Sequence, residues 1–148
     1  MRTVPDFEDL LELFEQFEVR YLIVGGLAFI FHAKPRYTKE MDLWVENTSE
    51  NVKKTNEALS VFGSPTFLDF DKPDQVLQIG IELDRVDLLV NLEGVSFETA
   101  WSKRIQGQYG GVPANWIDIE SLYTIKSLIQ HPRHQEDARV LAEVMRIK

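Results

Sequence analysis

Apolar residues at helical spacing dominate the first part of the chain. Five of them recur every three or four positions: Phe7, Leu10, Leu11, Phe14 and Phe17. This spacing predicts a helix over about 5–17. A short apolar strand is expected at 20–24, where it stops at Gly25-Gly26. The apolar segment 27–33 then predicts a second, short helix.

Strict alternation replaces helical spacing at 40–46. Apolar side chains occupy Met41, Leu43 and Val45, and the positions between them carry Glu40, Asp42, Trp44 and Glu46. Because successive side chains of a strand point to opposite faces, this predicts a strand with one face in the core and an acidic face elsewhere. A helix capped by Ser49 should follow and end near Phe62, before a Gly-Ser-Pro stretch.

The rest of the chain mixes short strands with helices. The expected elements are a loop at 66–74, strands at 76–81 and 85–90 that can form a hairpin across 82–84, a helix at 97–103, a hairpin of strands at 105–109 and 112–117, and helices at 119–130 and 135–147 separated by Pro132. This order predicts an α/β (or α+β) fold with a mixed sheet. A single domain should span 1–148, with the helices of 119–147 at its C-terminal end.

Composition narrows the classes of function. The chain has 148 residues and a charged share of 27%, which suits one soluble domain. It has no cysteine, which excludes thiol catalysis, disulfides and zinc–cysteine sites. A net charge of −8 disfavours broad binding to DNA. No apolar run approaches the ~18–20 residues of a membrane span, and the N-terminus lacks a signal-peptide pattern, so we expect a cytoplasmic protein with no membrane partner.

The Gly25-Gly26 pair, between a predicted strand and a predicted helix, is the first candidate for chemistry. Glycine allows a sharp turn and lets a ligand approach main-chain N–H groups closely. The N-terminus of a helix also favours a phosphate group. A plain turn is the commoner role of such a pair, so both interpretations stay open at this point.

The second candidate is the pair formed by Glu40 and Asp42. A spacing of two on a strand places both carboxylates on the same face. Like charges so close together are unfavourable unless a positive group lies between them. Mg²⁺ is a natural candidate because it prefers oxygen ligands. The alternative is that the two acids only form the solvated face of the strand.

Asp87 is the third candidate, because it lies in an otherwise apolar predicted strand. A strand that is apolar on both faces is typical of the centre of a sheet. A carboxylate buried there needs a partner. Arg85, on the same face of the strand, is one possible partner. A metal site shared with Glu40 and Asp42 is the other.

Three motifs occur in order along the chain: Val24-Gly25-Gly26-Leu27-Ala28, the segment 36–43, and Val86-Asp87-Leu88-Leu89. Together they resemble the minimal nucleotidyltransferase family, whose usual pattern is Gly-Gly, a short helix, Arg-x-Thr-x-Asp-x-Asp and a later Asp. The AbiEii-like branch and the nucleotidyltransferase-type antitoxins are the most similar. The segment 119–126 resembles the family's lysine-bearing helix, and 136–141 resembles its closing acidic helix. The resemblance implies the nucleotidyltransferase fold.

The family's activity implies transfer of a nucleoside monophosphate from a nucleoside triphosphate, with ATP as the expected donor. The acceptor would be a hydroxyl or phosphate of a protein or RNA. The resemblance makes Glu40, Asp42 and Asp87 the catalytic carboxylates and the ligands of Mg²⁺ or Mn²⁺. In this assignment Asp87 can also accept the proton of the attacking hydroxyl.

Phosphate binding is the second role that the resemblance assigns. It implies that the main-chain N–H groups of Gly25 and Gly26 hold the β- and γ-phosphates, and that Lys126 reaches a phosphate oxygen. Arg36 and Thr38 complete the implied nucleotide-binding set. For Arg36, an ion pair with an acid such as Glu40 is the alternative.

Two departures from the family pattern bear on activity. Glu40 stands where the family has Asp, and its side chain is one methylene longer. The family's paired aspartates fall either on His134 and Asp137 or on Glu136 and Arg139, so one is missing in either case. Three hypotheses follow: an enzyme acting on a toxin protein or a tRNA, a catalytically weak nucleotide-binding antitoxin or partner subunit, and a structural domain with no ligand.

Trp44 shares the strand face of Asp42. Packing beneath a C-terminal helix is favoured over stacking on a nucleotide base. The three histidines lack a metal-like spacing, so none of them is assigned a catalytic role.

Overall fold

A computed structural model of the protein describes residues 1, 3–81 and 84–147. Within these residues lie six helices and six strands. In chain order they are α1 Pro5–Gln16, β1 Tyr21–Val24, α2 Gly25–His32, β2 Glu40–Val45, α3 Ser49–Phe62, β3 Val76–Ile81, β4 Asp84–Leu89, α4 Phe97–Ser102, β5 Ile105–Tyr109, β6 Val112–Trp116, α5 Ile119–Ser127 and α6 Pro132–Ile147.

The strands form one mixed sheet in the order β3-β4-β2-β1-β6-β5. β2 pairs in parallel with β4, and β1 pairs in parallel with β6. The β1–β2, β3–β4 and β5–β6 pairs are antiparallel. The predicted mixed sheet flanked by helices is therefore confirmed. The turn of the β3–β4 hairpin includes residues outside the described part of the chain.

The middle of the sheet carries the core. All positions of β1 are buried. The alternation predicted for β2 is also present: Met41, Leu43 and Val45 are fully buried, whereas Glu40 and Asp42 are only half-buried. Helices α1 and α3 pack against each other, and α2 packs with α5 and α6. The acidic part of β2 thus lies on an interior strand of the sheet.

Several helix ends differ from the prediction. α2 begins at Gly25 rather than at 27, so the glycines form its first turn. Thr48, not Ser49, caps α3, because its side chain accepts a hydrogen bond from the Asn51 N–H. Gly63 ends α3 in the left-handed conformation, as the sequence indicated. α5 ends at Ser127, before the predicted 130.

Pro132 begins α6 instead of lying in the break before it. Proline suits the first helical turn because the N–H groups of that turn have no acceptor within the helix, so the lack of an N–H in proline removes no hydrogen bond. The predicted start at 135 was therefore wrong by about a turn.

Trp44 is buried and packs edge-on against Phe97 of α4, with ring centroids 5.2 Å apart. The sequence correctly favoured packing over stacking on a base but suggested a C-terminal helix as the neighbour. None of the described helices has both the length and the apolar character needed to cross a membrane.

Candidate active site

The pairing of β2 with β4 builds the candidate site. The two strands are parallel, and their register places Asp42 opposite Asp87 and Glu40 opposite Arg85. Residues opposite each other on neighbouring strands point to the same face of a sheet. Glu40, Asp42, Arg85 and Asp87 therefore share one face, although they come from distant parts of the chain.

The three carboxylates meet on this face. One oxygen from each of Glu40, Asp42 and Asp87 lies within 4.8 Å of the others. Asp87 is buried, and the other two side chains are half-buried. Oxygen donors at this spacing suit a hard divalent cation. The three side chains that the sequence grouped together are close in space, and this group, found among the described residues, could hold a metal ion.

The surroundings of Asp42 shift the pKa of its carboxyl group. Burial raises its pKa to about 7, and the charges of Glu40 and Asp87 push it in the same direction. The positive charges of Lys126 and Arg85 oppose this rise in pKa. Asp42 itself has no ion pair among the described residues. The cluster therefore lacks positive charge most clearly at Asp42.

Arg85 supplies part of the positive charge that the other two acids need. Its Nε donates to Asp87 Oδ1 at 2.8 Å, and its Nη2 donates to Asp87 Oδ2 at 3.2 Å and to a Glu40 carboxylate oxygen. These contacts raise the pKa of the guanidinium. Of the two alternatives posed for Asp87, the pairing with Arg85 is present. Asp87 also lies close to Glu40 and Asp42, and the shared metal site stays a prediction.

Gly25 lies directly against this cluster. Its φ is +65°, and a Cβ at this position would overlap the Asp42 carboxylate. At Gly26 a Cβ would crowd the Arg36 guanidinium and Thr38 Oγ1, each at 3.2 Å. The N-cap residue Val24 has a side chain that makes no capping hydrogen bond. The first N–H groups of α2 therefore lie beside the carboxylates without a side-chain cap.

Arg36 and Thr38 support the turn from the other side. Thr38 Oγ1 lies 3.3 Å from the backbone oxygen of Glu40. Arg36 pairs with Asp137 of α6 at 3.1 Å, and its guanidinium lies 4.9 Å from the centroid of the Phe29 ring. Arg36 thus pairs with an acid, but not with Glu40, which the sequence had suggested as an example.

Lys126 lies behind the cluster and is only 2% exposed. Its Nζ donates to Asp137 Oδ2 at 2.9 Å and lies 3.3 Å from His134 Nδ1. Burial lowers its pKa, although Asp137 acts in the opposite direction. In this conformation the ammonium joins α5 to α6 and acts on Asp42 through its charge.

Asp137 was named from the sequence only as one of two possible placements of the family's paired aspartates. It contacts both Arg36 and Lys126, and His134 one turn earlier also lies against Lys126. The sequence had left open two placements for the family's paired aspartates. The structure brings His134 and Asp137, rather than Glu136 and Arg139, towards the site.

An open cavity of about 500 Å³ adjoins the cluster at Glu40. Arg85, Tyr37, Lys39 and Arg133 also line it. The cluster is therefore reachable from outside at Glu40 and Arg85, as a site that acts on a substrate must be.

The same fold occurs in solved structures of nucleotidyltransferases. The lincosamide antibiotic adenylyltransferase LnuA, with bound lincomycin, matches with a TM-score of 0.64 and 16% identity over 97% of this chain and 99% of that chain. ANT(2")-Ia, in complex with adenylyl-2"-tobramycin, matches with a TM-score of 0.61 and 13% identity, over 94% of this chain and 87% of that chain. A Thermotoga maritima protein assigned as a nucleotidyltransferase matches with a TM-score of 0.59 and 14% identity, over 96% of this chain and 91% of that chain.

No protein-family model and no curated protein matches this sequence. The structural similarity shows that the chain has the nucleotidyltransferase fold. At these identities it shows the fold alone, so the function must be argued from the site.

Gly25→Ala is expected to lower the melting temperature, because the left-handed backbone disfavours a side chain and the new Cβ would strike Asp42. The strain alone costs about 1–3 kcal/mol. Gly111→Ala is the control, since nothing lies within 4 Å of its Cβ position. Differential scanning calorimetry measures both variants, and equal melting temperatures would contradict the close approach at Gly25.

The raised pKa of Asp42 predicts a pH-dependent stability in EDTA. Between the usual value of 3.8 and about 7, folded Asp42 retains a proton that the unfolded chain has released. The free energy of unfolding should therefore fall as pH rises through this window. Asp42→Asn has no titrating group at this position. The free energy of unfolding of the variant, relative to that of wild type, should therefore rise by roughly 1–3 kcal/mol from pH 4 to pH 7.

Urea unfolding at several pH values measures this difference. Asp9→Asn, on the exposed side of α1, serves as the control and should follow the wild-type profile. If Asp42→Asn also follows the wild-type profile in parallel, Asp42 does not carry the raised pKa.

Proposed function

We propose that this protein is a metal-dependent nucleotidyltransferase. It would transfer a nucleoside monophosphate from a nucleoside triphosphate to an acceptor hydroxyl or phosphate. The observation that carries the proposal is the meeting of Glu40, Asp42 and Asp87 beside the Gly25 turn. Adenylyl transfer named for LnuA, and adenylyl-2"-tobramycin bound to ANT(2")-Ia, support ATP as the donor.

The cation is the first requirement of this chemistry. Glu40, Asp42 and Asp87 offer only carboxylate oxygens, the donors that Mg²⁺ and Mn²⁺ prefer. When bound, such an ion supplies Lewis-acid stabilisation to the phosphoryl group. The raised pKa of Asp42 fits this role, because a neighbouring positive charge would favour its ionised form.

The first turn of α2 is placed to bind the triphosphate. No N-cap side chain bonds its first N–H groups, and the partial positive charge of the helix end favours an anion. The absence of side chains at Gly25 and Gly26 lets Asp42, Arg36 and Thr38 pack directly against this turn. Arg36 and Thr38 hold this turn from behind. Lys126 would add positive charge near Asp42 without direct contact in this conformation.

Asp87 is the best-placed group to accept the proton of an attacking hydroxyl. It is buried on β4, which pairs with a strand on each side. A carboxylate held in place by its strand needs little reorganisation when the acceptor arrives. The cavity beside Glu40 and Arg85 would admit that acceptor.

The order of motifs also supports a place in the AbiEii-like branch, near the nucleotidyltransferase-type antitoxins. A toxin protein or a tRNA is then the proposed acceptor. An acceptor with its own binding surface would suit a chain of only 148 residues, which offers little surface of its own.

A second candidate function is a catalytically weak nucleotide-binding antitoxin or partner subunit. The observation that favours it is Glu40, which is longer than the family's Asp and is bound by Arg85. Mg²⁺ demands near-ideal octahedral geometry, so a longer ligand can alter the arrangement of the cation and substrate.

Asp87→Asn and Asp42→Asn should each lower the rate of nucleotide transfer by at least about a hundredfold, because each removes a charge that transition-state stabilisation needs. The measurement is mass spectrometry of a candidate acceptor, such as the product of a neighbouring gene, after incubation with each nucleoside triphosphate and Mg²⁺. Asp9→Asn should retain wild-type activity. Transfer at an undiminished rate by Asp87→Asn would rule out the proposed site.

Glu40→Asp separates the two candidate functions. If the wild-type protein is a weak nucleotide-binding member, the shorter side chain should raise the rate of transfer, since it restores the family's ligand. If the wild-type protein is a working enzyme adapted to Glu40, the same change should lower the rate. Thermal shift with ATP and Mg²⁺ checks in parallel that the variant still binds nucleotide.

A further inference from the structure

Arg85 lies on the same sheet face as the three carboxylates, next to two of them. It lies opposite Glu40 across the parallel strand pair and two residues before Asp87 on β4. Its side chain therefore points to the same face as the three acids. The β2–β4 register thus brings a fixed positive charge to the cluster together with the third acid.

The guanidinium binds carboxylate oxygens of two of the three residues that could hold a divalent cation. Nε and Nη2 engage both carboxylate oxygens of Asp87, and Nη2 also engages one oxygen of Glu40. Of the three carboxylates, Asp42 alone has no ion pair with a described residue. Paired N–H donors match carboxylate geometry, so this arrangement is more specific than a nearby point charge.

The Arg85 side chain also has room to leave. It is 46% exposed and lies on the wall of the 500 Å³ cavity. The contact with Glu40 and Asp87 therefore has an open alternative beside it. A buried arginine would have to unfold its surroundings before it released the acids, but this one would not.

We propose that Arg85 is a resident counter-ion of the carboxylate cluster, which a divalent cation must displace from Glu40 and Asp87. Arg85 would keep the acids together before the metal binds and would weaken metal affinity by competition. This inference rests on the proposed function only in taking the cluster as a metal site. It concerns the affinity of the carboxylates for a divalent cation, and it requires no particular acceptor.

Mn²⁺ titration of the nucleotide-free protein tests the proposal. The protein is first stripped of metal with EDTA, and the EDTA is removed. Electron paramagnetic resonance then measures the free Mn²⁺ at each step of the titration. Arg85→Gln should bind Mn²⁺ at least about tenfold more tightly than wild type, because the competing charge and its donors are gone. The gain in melting temperature at saturating Mn²⁺ should also be larger for the variant.

Arg133→Gln is the matched control. Arg133 lines the same cavity but forms no ion pair with Glu40, Asp42 or Asp87, all of which the structure describes. Its loss should change Mn²⁺ affinity by less than about threefold, since exposed charges beyond contact are screened. Equal tightening by both variants would show a general charge effect and overturn competition by Arg85.

The remaining outcomes are distinct. Mn²⁺ binding by wild type that is unchanged or weakened in Arg85→Gln would overturn this inference while leaving the metal site intact. Failure of both proteins to bind Mn²⁺ would overturn the metal site and the inference with it. If Arg85→Gln does not fold without metal, Arg85→Lys is measured in its place. Lysine lacks the paired donors of arginine, so Arg85→Lys should still bind Mn²⁺ more tightly than wild type. An Mn²⁺ affinity equal to that of wild type would count against the proposal.

Discussion

The parallel pairing of β2 with β4 forces like charges together, and much of the site follows from that pairing. Asp42 and Asp87 lie opposite each other on neighbouring strands, with Glu40 one pleat away on the same face. Three carboxylates within 4.8 Å are unfavourable unless positive charge lies among them. Arg85 provides some of that charge, while burial, together with the charges of Glu40 and Asp87, raises the pKa of Asp42.

A second set of charges fixes the surroundings of the cluster. Asp137 on α6 pairs with both Arg36 and Lys126, so it ties the C-terminal helices to the segment before β2. Arg36 in turn packs against Gly26, the second residue of α2. The position of the glycine turn thus depends on residues at the far end of the chain. Removing one partner from so buried an ion pair is generally costly, because an uncompensated charge remains.

Local patterns made much of this structure predictable. The alternation around Glu40 and Asp42 identified both the strand and its acidic face, and the apolar surroundings of Asp87 indicated a central strand. The mixed sheet could be expected from the order of strands and helices. Helix ends were less predictable: Gly25 reads locally as a turn and Pro132 as a break, but both belong to the first turns of helices. Both residue types are compatible with either role, so the local sequence leaves the start of the helix open.

Contacts between distant segments could not be predicted from the same patterns. The β2–β4 register joins residues 45 positions apart, so spacing alone could not show that Arg85 reaches Glu40. Burial of Lys126 depends on Asp137, 11 residues later and on another helix. The phosphate contact that the resemblance implied for Lys126 stays a prediction, and the structure adds an ion pair with Asp137 that the sequence did not indicate. Motifs indicated the residue types, and the tertiary packing determined their partners.

The most direct test of the central claim is the anomalous X-ray scattering of a crystal grown with Mn²⁺. If the β2–β4 pair creates a divalent-cation site, the anomalous map should show a peak in contact with carboxylate oxygens of both Asp42 and Asp87, with Glu40 beside it. A map with no peak near these oxygens, at an Mn²⁺ concentration that fills other sites on the protein, would contradict the account.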